Sequence, residues 1–394
     1  MTQIFDIFGV ENTVDSSSLY ESLGYPRNPF REVGGEHSGE SGPFYTGHIK
    51  QQLQDVQRWI GDIHNRENSQ PLSLVGNIGA GKSRILKFIR RYLSQLPPSQ
   101  KIVADVLLLS ETGFARASIG GIIMSSLERT SLSWISNNAD DTSILPIVWA
   151  VVNAEDTTQD HNGPLLNALF RVQTGPQNKR EHGAKLVTRW LQRDYLTSKE
   201  SQEIGLPRRI DWEGELIHVA AELLRYANKV GVLQTFYLFI DQLEDLFRPT
   251  FSELRRSRIL TDLRGLVDEI DAMAPIGLCL AWTPDFGTGF TADGVDLQFR
   301  RSYEALYSRM LRRRVNLPLL AFDDAVPFAF EWVDALNGEK GYNKGKQPNL
   351  EELVGAAWGR LQQERKLFPG GGGRTTPRDL LSALAYIVEQ RVGH

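Results

Sequence analysis

Gly76-Asn77-Ile78-Gly79-Ala80-Gly81-Lys82-Ser83 decides how this chain is read. It follows an apolar run, Pro71-Leu-Ser-Leu-Val75, and precedes a segment in which Ile85, Leu86, Ile89, Leu93 and Leu96 recur at helical spacing. Strand, glycine loop and helix therefore come in order. Glycines at this spacing let backbone N–H groups close around phosphate oxygens at a helix N-terminus. A lysine in this place neutralises β/γ charge, and the following hydroxyl ligates Mg²⁺. The stretch thus points to a nucleoside triphosphate, read here as ATP with Mg²⁺ held on Ser83.

Working outward, Lys101 to Leu109, Phe236 to Ile240, Ile276 to Trp282 and Val315 to Leu317 read as further strands. They are apolar and separated by helical segments, which predicts a parallel sheet flanked by helices. A long insertion, about 114–230, is predicted to be helical. Its last helix is capped by Asp211, buries Leu216, Ile217, Ala220, Leu223 and Leu224, and ends at Gly231. After Pro318 helices without strands are expected near Asp323–Leu336, Leu350–Arg365 and Pro377–Val392.

The fold class is therefore α/β: a phosphate-loop NTPase with a helical insertion and a C-terminal helical lid. Its parts are an N-terminal arm (1–29), a nucleotide-binding domain (30–318) and a lid (319–394). The arm ends in Tyr25-Pro-Arg-Asn-Pro-Phe30, where two prolines impose an extended path. Gly34 to Gly42 reads as a loop. Thr46 opens a helix with Ile49, Leu53, Val56 and Ile60 on one face, and Gly370–Gly373 is a hinge or a surface turn.

A net charge of −4 and a pI near 6.0 give no global attraction to nucleic acid, so any such contact must be local. Arg255-Arg256, Arg258 and Arg312-Arg313-Arg314 are the candidates, for DNA phosphates or for a solvated face. The lone Cys279 sits among apolar neighbours, as a buried thiol rather than a nucleophile. His161, His182 and His218 are too scattered for a metal site. The N-terminus lacks the pattern of a signal peptide and no run is long and apolar enough to span a bilayer, so a soluble cytoplasmic protein is expected.

Asp241, closing the apolar run Phe236-Tyr-Leu-Phe-Ile, is the candidate metal-side acid. Gln242 stands where many such ATPases carry the glutamate that polarises attacking water, which weighs against fast hydrolysis. Glu244 or Asp245 is a substitute, or a helix cap. Thr283 ends another apolar strand, where a polar side chain would watch the γ-phosphate. Arg309 and Arg378 complete the set, since guanidinium groups stabilise charge developing on a transferring phosphate.

Together these positions resemble the AAA+ ATPases, in the branch of origin-recognition and transposon-targeting ATPases and their STAND relatives. The resemblance spans about Asn28 to Val392. Asn28-Pro29-Phe30 followed by Phe44-Tyr45-Thr46-Gly47-His48 is similar to the segment that packs on adenine in that branch, which makes Phe30 and Tyr45 candidate nucleotide contacts. The run Asp241-Gln-Leu-Glu-Asp-Leu-Phe247 is similar to one in some STAND proteins. Trp190-Leu, Thr283-Pro-Asp-Phe286, Tyr303-Glu-Ala-Leu-Tyr-Ser-Arg309 and Thr376-Pro-Arg378 resemble ATP-binding proteins of BREX-type bacterial defence loci.

The resemblance implies that Thr283 is sensor 1, Arg378 sensor 2 and Arg309 an arginine finger acting on a neighbouring subunit. It therefore implies a homo-oligomer in the ATP state, a switch acting on DNA or partner proteins, and a role in antiviral defence or mobile-element control. Neither the winged helix of origin-recognition proteins nor STAND repeats follow the lid, so further domains are expected from partner proteins. The alternative is a nucleotide-binding regulatory module with little hydrolysis, for which Gln242 is the motive. A small-molecule kinase explains the phosphate loop but not the lid arginine, and the Leu-Ser-Gly-Gly-Gln-like signature of ABC proteins is missing.

Overall fold

Five strands pair side by side in the protein, described here from a computed structural model. Described are residues 30, 47–66, 69–108, 118–129, 143–154, 163–210, 213–248, 251–284, 294–334, 349–364, 366–367 and 373–392. The arm, Tyr45, the 34–42 loop, Asp211, His161 and residues 370–372 lie outside these. The strands are β1 (Leu72–Val75), β2 (Ile102–Leu108), β3 (Thr235–Asp241), β4 (Ile276–Trp282) and β5 (Arg313–Asn316). All pair parallel, in the order β2-β3-β4-β1-β5. Every residue of β1, β3 and β4 is buried. They read as continuous apolar runs because a parallel sheet is covered on both faces. A parallel sheet in this order, with a glycine loop leaving β1 between β4 and the edge strand β5, is an α/β phosphate-loop fold of the AAA+ type.

Helix α1 (Lys50–Asn65) buries Val56, Trp59 and Ile63, whereas the expected Leu53 and Ile60 are only half-buried. The Trp59 ring stands edge-on to Tyr237 of β3, whose hydroxyl donates to Ile60 O at 3.1 Å. Gly277 of β4 lies opposite Tyr237, and a Cβ there would fall 2.5 Å from the Tyr237 ring. Glycine is thus required beneath that ring. Helix α2 (Lys82–Ser94) turns Ile85, Leu86, Ile89 and Leu93 inward as predicted, with Leu96 beyond its end.

The insertion supplies α3 (Ile119–Arg129), α4 (Pro146–Val152), α5 (Pro164–Thr174), α6 (Gln177–Leu191), α7 (Ser198–Ile204) and α8 (Glu213–Lys229), and shares one core with the sheet. In α8 the five predicted residues are buried. Helix α9 (Glu253–Asp271) ties to the insertion through Asp262, which accepts from Ile119 N–H at the start of α3 at 3.1 Å. Helix α10 (Gly294–Met310) is anchored at both ends. Trp282 Nε1 donates to Asp296 Oδ1 at 2.6 Å, and Ser73 Oγ donates to Met310 O at 2.5 Å.

Strand β5 begins inside the basic cluster, two residues before the position read from sequence. Three consecutive arginines reach three helices: Arg312 to Asp271 of α9 (3.6 Å), Arg313 to Asp62 of α1 (2.5 Å) and Arg314 to Asp296 of α10 (3.4 Å).

By contacts the chain forms two units. One comprises Gln51–Ile78 and Lys82–Leu317; the other gathers Gly79–Gly81 and the described residues before Gln51 and after Leu317. In the second, α11 (Phe322–Asp334), α12 (Leu350–Gln363) and α13 (Pro377–Val392) enclose a separate core with Phe328, Trp332, Leu353 and Leu384. The expectation of helices without strands needs correction here. Leu320–Ala321 (β6) and Arg374–Thr375 (β7) pair antiparallel, and two-residue strands are too short to show any period in sequence. Among the described residues no helix is long and apolar enough to cross a membrane.

Candidate functional site

The loop after β1 starts from an interior strand, between β4 and β5. Gly76 N–H donates to Trp282 O of β4 (3.3 Å) and Leu317 N–H to Val75 O (2.7 Å), so both neighbouring strands fix the strand end. Gly79 (φ 80°) and Gly81 (φ 97°) then take left-handed backbone that only glycine adopts without strain. Ala80 is buried, Ile78 is exposed, and α2 begins at Lys82. Successive N–H groups in such a turn, opening onto a helix N-terminus, make an anion-binding concavity.

Asp241 closes β3 and is 1% exposed. Its Oδ1 accepts from Gln242 N–H at 2.9 Å, while its Oδ2 is buried with no hydrogen-bond partner. Burial pushes this carboxyl up; the Ser83 hydroxyl, the Gln242 N–H and the nearby Lys82 pull it down. Gln242 itself is left-handed (φ 57°, ψ 43°), a conformation costing a non-glycine residue about 1 kcal/mol or more. This turn sends the chain into a short 3₁₀ helix, Leu243–Phe247. The side chain that returns to the strand ends is consequently Glu244.

Glu244 is 6% exposed and both its oxygens are used by one residue of β4's end. Oε1 accepts from Thr283 Oγ1 at 2.9 Å and Oε2 from Thr283 N–H at 3.2 Å. Lys82 Nζ donates to the same Thr283 Oγ1 at 2.9 Å, and also to Gly76 O (2.7 Å) and Asn77 O (3.1 Å). An ammonium can only donate, so the Thr283 hydroxyl passes its own hydrogen on to Glu244. Burial raises the Glu244 carboxyl, and Lys82 opposes that shift. Asp245, beside it, is raised by burial and held down by Arg248 at 2.7 Å.

The donor set fits a metal-bound nucleotide. Asp241 Oδ2 is a buried oxygen with unused lone pairs, Ser83 sits in the first turn of α2 beside it, and Lys82 offers a cation at the mouth of the loop. Cys279 is wholly buried within β4 and burial pushes its thiol up, so it offers no nucleophile.

The structure brings Lys82, Ser83, Asp241, Glu244 and Thr283 together, with Gln242 on the turn between them. Arg309, in the last turn of α10, instead forms an ion pair with Asp268 of α9. Arg378 is exposed at the start of α13, where the Thr376 hydroxyl caps the helix by accepting from Asp379 N–H at 3.1 Å. Phe30 is wholly buried in the core of the C-terminal helices, and His48 stands edge-on to Phe328 at 6.5 Å. Among the other basic candidates, Arg255 lies over Phe251 and Arg256 donates to Leu246 O at 2.7 Å. His182 and His218 face Glu203 and Glu269. Sequence reasoning named Glu244 but missed its bridge through Thr283 to Lys82, which depends on backbone handedness at Gln242.

No protein-family model matches the sequence, and no curated relative does. Among solved structures, the Aeropyrum pernix ORC2 protein (ADPNP-ADP complexes) is similar at 10% identity and a TM-score of 0.40, over 90% of this chain and 71% of that one. CDC6P from Pyrobaculum aerophilum is similar at 12% identity and a TM-score of 0.41, over 91% of this chain and 66% of that one. The chain thus spans about two thirds of the length of these proteins. Likeness this distant adds nothing to the strand order and loop geometry on which the fold assignment rests.

Proposed function

We propose that the chain is a nucleotide-dependent molecular switch that binds ATP with Mg²⁺ in the Gly76–Ser83 loop, hydrolyses it slowly, and assembles with copies of itself. The observation that carries this reading is the buried cluster of Lys82, Thr283 and Glu244 beside the unpartnered Asp241 Oδ2, at the end of the central strands. Lys82 exchanges acceptors within the loop to meet phosphate oxygen. Ser83 and Asp241 hold the metal side, and bound Mg²⁺ would neutralise charge on the β- and γ-phosphates. Thr283, its hydrogen committed to Glu244, turns its remaining lone pair toward whatever donor stands at the γ-position. Gln242 can orient a water but cannot take its proton, which keeps turnover slow.

Arg378 is proposed as the cis guanidinium and Arg309 as the trans one, so that Arg309 must leave Asp268 to reach a neighbouring subunit. Partners are DNA or proteins of the same system, in defence or mobile-element control. The arginines at 312–314 are engaged by carboxylates of the same chain, so DNA contact through them must displace those pairs. A regulatory module with little hydrolysis is the second reading, favoured by Gln242 at the water-side position.

Light scattering after size exclusion, with ATP, ADP or no nucleotide and with phosphate release followed, tests the proposal. ATP-dependent assembly, lost with Lys82→Ala, supports the switch. Failure of the wild type to bind either nucleotide sinks it, and assembly without phosphate release selects the second reading. Filter binding at low and high salt decides DNA contact, which must weaken as salt rises.

A further inference from the structure

Lys82 is buried, 8% exposed as a residue, and its ammonium already has the acceptors Gly76 O, Asn77 O and Thr283 Oγ1. A phosphate oxygen that takes a hydrogen bond from Lys82 takes it from one of these. The two carbonyls are fixed parts of the loop, whereas Thr283 is tied to a charge. Glu244 grips Thr283 by both its N–H and its hydroxyl, and a threonine whose hydrogen is given to a carboxylate is a stronger acceptor for an ammonium. Glu244 itself sits in the 3₁₀ turn that follows the left-handed Gln242, with its two oxygens on Thr283.

We propose that Glu244 is a positioning residue that sets nucleotide affinity: through Thr283 its buried carboxylate holds Lys82 and competes with nucleotide phosphate for it. This inference rests on the phosphate-loop reading above. It places Glu244 in a role opposite to that of a residue that merely supports the fold. A supporting residue, when removed, loosens both the protein and its ligand. A competitor, when removed, loosens the protein without ligand and tightens the ligand, because the cost of freeing Lys82 no longer subtracts from binding.

The test is a titration of the full chain with a fluorescent ADP analogue and Mg²⁺, together with melting curves with and without ADP. ADP is chosen because it has no γ-phosphate, so a direct contact of Thr283 with that group does not enter. Glu244→Gln is expected to bind about fivefold or more tightly than wild type, the lower end of ordinary coupling between sites. Its melting temperature without nucleotide falls, and the rise on adding ADP grows. Unchanged or weaker ADP binding overturns the inference. Should Glu244→Gln not fold, Thr283→Val is read in the same titration: tighter binding supports the competition and unchanged or weaker binding refutes it. Wild-type protein that binds no ADP at all overturns the phosphate-loop reading instead, a result distinct from either.

Discussion

Lys82 and Glu244 make a prediction about stability that needs no ligand. Two 2.9 Å bonds share Thr283 Oγ1 and keep the ammonium and the carboxylate within ~6 Å of each other. Both side chains are buried, so solvent screens them little. At an effective dielectric constant of about 20, that separation gives an attraction on the order of 3 kcal/mol. Lys82→Ala removes the cation and leaves Glu244 charged, buried and uncompensated, a situation that ordinarily costs about 3–5 kcal/mol. Glu244→Gln strands the cation instead, although Gly76 O and Asn77 O still accept from it. The double variant carries neither charge. Urea unfolding of wild type, both single variants and the double variant, all without nucleotide, closes the cycle. The double variant is expected to be more stable than the sum of the single losses by about 2–3 kcal/mol. Losses that add to within about 0.5 kcal/mol would refute the coupling through Thr283.

Gly277→Ala pushes a methyl group into a Tyr237 ring pinned by its hydroxyl to Ile60 O, and should cost about 1–3 kcal/mol in urea unfolding; a neutral result refutes the packing of α1 on the sheet. Arg309→Ala should lower phosphate release in the assembled protein by roughly a hundredfold while sparing ATP binding, and Asp268→Asn, which frees Arg309, should not lower it. Glu200 caps α7, where the Thr197 N–H, Arg189 and the Thr197 hydroxyl together hold its carboxyl down to about 2. A depressed carboxyl stabilises above its unfolded value of 4.5 and loses that contribution as pH falls toward 2. Amide protection across 198–204, taken relative to the intrinsic exchange rate at each pH, should therefore fall over that window in wild type and show no such step in Glu200→Gln.

The central strands were legible because their physics is local. β3 and β4 are buried along their whole length, and a strand covered on both faces is mostly a continuous apolar run, with Asp241 only at the end of β3. The loop was legible because left-handed backbone at Gly79 and Gly81 demands glycine. What sequence could not show depends on residues far apart in the chain. The reading of β5 began two residues late because Arg313 and Arg314 look unlike a strand until Asp62 and Asp296 are seen beside them. Ile49 and Val56 are buried as expected, but Trp59 and Ile63 take the places expected for Leu53 and Ile60 in α1, with Trp59 packed edge-on to Tyr237. Glu244 was one of two acids open to a role. Only the left-handed Gln242, which no glycine announces, decides which of them reaches Thr283.

The arginines at 312–314 have a mechanical consequence. A four-residue strand at the rim of a sheet is gripped by a ladder on one side only. Three successive guanidinium groups rivet it to the far end of α9, to α1 and to the head of α10. Arg313–Asp62 is the shortest and least exposed of the three ties, so it is the one expected to hold the strand most firmly, and each can be struck out separately by mutation to test that.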